Sequence, residues 1–324
     1  MQPLNKFEKY LVEEFYDDYR EGSMSRRTFI RRVAFITGSM GAAIAAMTAA
    51  GCRPVELPSP NTPMPKPAPP AQATTTTQAG AAPAAKSPLS VPEGDSAVQG
   101  SDITFDNQSD KIMAYLARPA ADGKYAAILV CHENRGLTPH IKDVARRFAK
   151  AGYVALAVDL LSREGGSDKI DNDQRPGLLT KAGIERHVGD FAAGLKYVQT
   201  LDDVDGKRIG MTGYCFGGGV TWAAAEAISE LKAAVPFYGP APDLAKVPNI
   251  KAAVFGVYAE LDTRITPTKD PLDKALTAAN ITHQMKVYPG VNHAFHNDTG
   301  DRYVEAQATQ AWEDTLAWFK QYLV

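Results

Sequence analysis

Cysteine is scarce in this chain: three residues, at 52, 131 and 215, among 324. An odd count cannot pair completely, and a chain of this length can build its own core, so no disulfide framework is expected. Each cysteine therefore needs its own explanation. A basic excess is also missing. Lys and Arg number 35 against 37 Asp and Glu, a formal charge of −2, and no basic cluster follows residue 35. A phosphate backbone would find no complementary face, which excludes nucleic acid as a partner. The dinucleotide fingerprint Gly-x-Gly-x-x-Gly does not occur. The zinc helix pattern His-Glu-x-x-His starts at His132-Glu133 but fails at Gly136, where its second histidine would stand. Neither a nucleotide cofactor nor a metal is expected.

What is present divides the chain into three. Residues 1–52 read as a twin-arginine-type export signal. Ser25-Arg26-Arg27-Thr28-Phe29-Ile30-Arg31 carries the paired arginines with apolar residues after them, and Val33 to Ala50 is a small-residue apolar run without charge. Its Ala, Gly and Thr content suits a signal core better than a permanent span, an uncleaved anchor being the alternative. The run ends in Ala49-Ala50-Gly51-Cys52, which resembles a bacterial lipobox and makes Cys52 a candidate lipidation site. Ahead of the arginines, Leu4, Phe7, Leu11 and Phe15 recur at helical spacing. Residues 53–97 are rich in Pro, Ala and Thr, with too little apolar surface to offset chain entropy, and read as an extended tether. Such a layout places the protein outside the cytoplasm, in the periplasm or on the outer face of the membrane, touching lipid only through its N-terminus.

Residues 98–324 form the folded domain. Ile103–Phe105 and Lys111–Arg118 read as an antiparallel pair around a polar turn. Beyond them, continuous apolar runs near 126–131, 153–158, 208–212, 233–238, 252–258 and 284–288 alternate with helical patterns near 140–150, 183–200, 217–230, 268–279 and 302–322. Strands without polar alternation are buried on both faces, so the expected fold is α/β, doubly wound, with a mainly parallel sheet covered by helices on both faces.

Between the run at 208–212 and its helix lies Gly213-Tyr214-Cys215-Phe216-Gly217, the Gly-x-Ser-x-Gly elbow with sulfur in place of oxygen. A nucleophile on a strand-to-helix turn needs small residues on either side, and the helix N-terminus should favour its thiolate. Cys215 is therefore the candidate nucleophile. Its partners should follow as acid and then histidine. Asp262 ends the run Tyr258-Ala259-Glu260-Leu261-Asp262, with Glu260 as a rival. His293 stands in Gly290-Val291-Asn292-His293-Ala294-Phe295, with His283 and His296 as competitors, His296 also as a substrate-contacting group. All three positions emerge from the sheet edge where α/β folds bind ligands. Cys131, closing an apolar run, reads as a buried small hydrophobe.

These motifs, with Cys131-His132-Glu133-Asn134-Arg135-Gly136 after the first buried run, make residues 98–324 similar to the dienelactone hydrolases (carboxymethylenebutenolidases). The resemblance implies an α/β-hydrolase fold and hydrolysis of a lactone or ester through a thioester on Cys215, with His293 and Asp262. It implies that Glu133 contacts the thiol and takes its proton, and that the backbone N–H groups of Phe216 and Asn134 form the oxyanion hole. Arg163 matches an arginine that holds a substrate carboxylate, whereas a second such arginine is replaced by Asn297. A general carboxylesterase and a non-catalytic tethered binding protein are the alternatives. A small-molecule ester or lactone is the expected partner, and a monomer the expected state.

Overall fold

The computed structural model describes residues 4–38 and 87–323. Eight strands form one sheet: β1 (Val98–Asn107), β2 (Asp110–Pro119), β3 (Tyr125–Cys131), β4 (Val154–Val158), β5 (Val204–Tyr214), β6 (Ala233–Phe237), β7 (Ala253–Ala259) and β8 (His283–Tyr288). Their spatial order is β1-β2-β4-β3-β5-β6-β7-β8. The first two pairings, β1 with β2 and β2 with β4, are antiparallel, and every later pairing is parallel. The hairpin turns where Asp106 to Asp110 were expected to turn. Strands β4, β6 and β7 are buried along their whole length, as their unbroken apolar sequences require.

Helices cover both faces. On one, Phe148 of α3 (Pro139–Lys150) packs on Trp312 and Phe319 of α8 (Glu305–Tyr322), at centroid distances of 4.5 and 5.9 Å. Helices α5 (Ile184–Gln199) and α6 (Phe216–Ala227) pack on each other and on the sheet, and α7 (Lys269–Ala278) lies beside β8. The short α4 (Arg175–Ala182), with Pro176 and Gly177 in its first turn, is not among the helices expected from the sequence. Proline in a first turn is compatible with a helix, since its missing N–H had no acceptor there.

Two departures matter more. Packing starts before Val98: the Val91 N–H donates to Asp143 Oδ1 at 2.7 Å and its carbonyl accepts from Arg146 Nε at 2.6 Å. And the segment read as an export signal is built into the molecule as far as it is described. Residues Lys6–Arg20 form α1 and Arg26–Thr37 form α2, with Tyr10, Leu11, Val12, Phe15, Phe29, Val33 and Ile36 in the common core. No described helix is long and apolar enough to cross a membrane. Cys52 and most of the apolar run lie outside the described residues.

Candidate active site

Parallel strands deliver their last residues to one edge, and four of them supply the site. Glu133 and Asn134 follow β3, Cys215 follows β5, Asp262 follows β7, and His293 follows β8. The turn after β5 is forced by its glycines. A Cβ on Gly213 would lie 2.2 Å from the Gly217 carbonyl oxygen, and one on Gly217 would lie 2.4 Å from that of His132. Cys215 itself has φ 58° and ψ −120°, a conformation that costs a non-glycine residue of order 1–3 kcal/mol and is found mainly where function holds it. Its N–H is bonded to the Phe237 carbonyl at 3.1 Å, which fixes the elbow to β6.

Asp262 and His293 meet at 2.6 Å, carboxylate Oδ2 to Nδ1, both buried. The other carboxylate oxygen accepts the N–H groups of Arg264 and Ile265, at 3.2 and 3.1 Å, so the acid is locked in its loop. Burial alone would raise the Asp262 pKa, but the charge and hydrogen bond of His293, with Arg264, hold it below the ordinary range. Glu260 instead accepts the Gly290 N–H at 2.7 Å in an exposed position, so the acid that meets the histidine is Asp262.

The thiol is not the thiolate that the helix N-terminus alone would favour. Burial first, then the negative charges of Glu14 and Glu133, push the Cys215 pKa well up, against hydrogen bonds from Tyr10 and the Phe216 N–H. Phe216 opens α6, so its N–H has no acceptor within the helix and faces the sulfur side of the turn. Nor does Glu133 reach the thiol by a hydrogen bond in this state. Its Oε2 accepts from Asn297 Nδ2 at 2.7 Å, so the residue standing where an arginine was expected engages the glutamate.

The groups that touch the sulfur come from α1. Tyr10 Oη lies 3.2 Å from Cys215 Sγ and 3.3 Å from His293 Nε2, and both oxygens of Glu14 lie 3.5 Å from the sulfur. Glu14 also accepts from Asn134 Nδ2 at 2.9 Å. Sequence reasoning missed both, although a signal was there. Phe7, Tyr10, Leu11, Glu14, Phe15 and Asp18 follow the i, i+3, i+4 rule of one helix face, and only the apolar members were noticed. Glu14, Cys215 and His293 bring metal-capable atoms within 4.8 Å of one another, but Asn134, Tyr10 and Asp262 already bond to them.

A cleft of about 570 Å³ opens here, lined by Glu133, Asn134, Cys215, His293 and Asn297 and walled by Glu14. Two expected substrate contacts are elsewhere. Arg163 pairs with Asp110 and with the buried Asp190, the latter at 2.8 Å, and does not line the cleft. A buried carboxylate needs a cation more than a distant ligand does. Arg163→Ala is accordingly expected to cost up to about 3 kcal/mol of stability, read as a lower melting temperature, with KM unchanged. His296 is buried between Tyr214 and Phe237, each ring 5.2 Å away, with burial holding it neutral, so it is part of the core rather than a substrate contact. His132 is likewise buried. Its Nδ1 bonds to the Glu133 carbonyl at 2.6 Å and its Nε2 accepts from the Leu160 N–H at 3.2 Å, which ties the ends of β3 and β4 together. Cys131 is the buried hydrophobe expected.

Sheet order, elbow and the histidine–carboxylate pair at the sheet edge define an α/β-hydrolase. Residues 112–323 match the dienelactone hydrolase family. A Salmonella typhi protein provisionally named a carboxymethylenebutenolidase is 36% identical over 263 residues, covering 75% of this chain and 96% of its own. A similarly named protein of Escherichia coli O157:H7 is 37% identical over 265 residues, covering 76% of this chain and 96% of its own. A crystal structure from Klebsiella pneumoniae subsp. pneumoniae MGH 78578, provisionally named a dienelactone hydrolase, superposes with TM-score 0.66 at 32% identity, covering 70% of this chain and all of that one. The acylaminoacyl peptidase of Pyrococcus horikoshii shares the fold at TM-score 0.57 and 14% identity, over 70% of this chain and 42% of its own. The chain belongs to the dienelactone hydrolase family and is a hydrolase.

Proposed function

We propose that this hydrolase cleaves a lactone or an activated carboxylic ester through a thioester on Cys215. The observation that carries the reading is the 2.6 Å Asp262–His293 contact set beside a cysteine on a glycine-forced elbow, with Cys215 and His293 lining one cleft and Asp262 buried behind the ring. With Asp262 accepting a hydrogen bond from Nδ1–H, Nε2 of the neutral ring is left as the proton acceptor. The thiol proton passes to His293 and the sulfur attacks the substrate carbonyl. The Phe216 and Asn134 N–H groups receive the developing oxyanion, each such donor being worth about a hundredfold or more in rate. His293 then returns its proton to the leaving alkoxide. Water, deprotonated by the same ring, hydrolyses the thioester and releases the acid.

Asn297 favours a substrate range wider than carboxylate-bearing lactones. Asparagine offers no guanidinium, and it is already bonded to Glu133. Mass spectrometry after a brief incubation with an aryl ester is the test. An acyl adduct on the peptide carrying Cys215, absent from Cys215→Ala, is expected. Equal hydrolysis by that variant would sink the reading. A parallel panel of enol-lactones against aryl esters ranks the substrate class. The twin-arginine pattern at Ser25–Arg31 supports the further proposal that the chain is exported.

A further inference from the structure

Helix α1 does more than cover the site. Tyr10 Oη stands between Cys215 Sγ and His293 Nε2, taking a contact from each, and no hydrogen bond joins the sulfur and the ring directly. The Glu14 carboxylate presents both oxygens at 3.5 Å to the sulfur, in the space through which a substrate would approach it, and engages Asn134 beside the expected oxyanion hole. Cys215 is left only 3% exposed. The attachment is polar at its rim and apolar at its centre. Arg264 pairs with Asp17 at 2.9 Å, Arg302 pairs with Asp18 at 2.6 Å and Glu21 at 2.7 Å, and Phe7 meets Phe216 edge-on at 5.4 Å. Helix α2 adds Arg32 on Asp173 at 3.0 Å. Neither helix lies in the part matched to the family, which begins at residue 112.

We propose that α1 and α2 form an intramolecular stopper, in which Tyr10 and Glu14 occupy the substrate position and restrain, without abolishing, the reactivity of Cys215 while the segment is docked. The proposal rests on Cys215 being the nucleophile. A working role for the two residues fits less well, because a carboxylate against the sulfur opposes the thiolate that attack requires. Burial would raise the Glu14 pKa, but the charges of His293 and Arg264 outweigh it and keep this carboxylate ionised. The segment that carries Ser25–Arg31 is the same one that blocks the site. Whatever draws it away, by binding those residues or by cutting the chain beyond them, would expose the nucleophile.

The test uses the full chain and two changes. Glu14→Gln removes the charge without altering shape. Asp17→Lys with Asp18→Lys reverses the charges that face Arg264 and Arg302 and should undock α1. Two readouts are taken near neutral pH: the rate of Cys215 alkylation by iodoacetamide, which needs no substrate, and aryl ester hydrolysis. Alkylation is expected to rise about tenfold in each variant, with hydrolysis rising alongside it. Unchanged or slower alkylation in both folded variants would overturn the stopper, and a loss of hydrolysis would make Glu14 part of the working site. Faster alkylation with no hydrolysis of any ester would instead sink the hydrolytic role of Cys215 and leave the stopper standing.

Discussion

Asp262→Asn is expected to lose about ten-thousandfold in kcat while melting within a few degrees of the parent protein. The two effects separate because the carboxylate has two jobs. Oδ1 accepts the Arg264 and Ile265 N–H groups, and an asparagine carbonyl can accept both in the same place. Oδ2 accepts from His293 Nδ1, and there an amide N–H₂ offers a donor to a donor. The ring then holds its proton on Nε2 and can no longer take one from the thiol. Asp262→Ala is a different experiment. It also strands two backbone donors in a buried loop, each costing about 1–3 kcal/mol, so its loss of activity would be mixed with loss of fold. Steady-state kinetics and a thermal melt on the asparagine variant decide the matter, and near-parental kcat would remove Asp262 from the mechanism. The depressed pKa adds an acid signature. A carboxylate held below its unfolded value stabilises the fold above that value, and this contribution is lost as pH falls through the folded one. The asparagine variant should lack that component of acid unfolding.

The elbow, its order of partners and the sheet were legible because each is written locally. Apolar runs such as Ala-Ala-Ile-Leu-Val in β3 have no polar face to show solvent, and a nucleophile turn needs glycines at fixed offsets. The parts that escaped the sequence are set by contacts between distant segments. Nothing near Arg163 announces that Asp110 and Asp190 will claim it, and nothing near His296 announces that Tyr214 and Phe237 will enclose it. Resemblance assigned Arg163 to substrate and nearness to His293 suggested the same for His296; ion pairs reassign the first and burial the second. The thiolate expected at Cys215 fails for the same reason. A helix dipole is a local term, whereas the carboxylate of Glu14 arrives from 201 positions away. Helix α1 is the instructive case. Its amphipathic stripe was visible, but a stripe says only that something will be covered. The polar members Tyr10, Glu14 and Asp18 tell what is covered, since apolar packing alone has no use for a phenol and two carboxylates on that face.

Gly217→Ala should cripple both stability and catalysis, and the reason is the identity of the atoms in the way. The new Cβ would sit 2.4 Å from the His132 carbonyl oxygen and 2.7 Å from that of Cys131. These are backbone atoms at the end of β3, hydrogen-bonded between β4 and β5, and no side-chain rotation can clear them. Overpacking a core costs typically about 1–3 kcal/mol, and the rigid backbone puts this case at or above the upper end. For a domain of this size that is a fall in melting temperature of roughly 10 °C. Any relief by moving β3 outward carries Glu133 and the Asn134 N–H with it. Losing one well-placed oxyanion donor costs about a hundredfold to a thousandfold in kcat, so the surviving folded fraction should also be slow. Gly189→Ala is the control. Its Cβ would meet nothing closer than Asn107 Nδ2 at 3.9 Å, in the middle of α5, where alanine is favoured over glycine by roughly 0.5–1 kcal/mol. That variant should melt no lower than the parent and keep its activity. If Gly217→Ala behaved like it, the close approach of α6 to the end of β3 would not be what shapes the elbow.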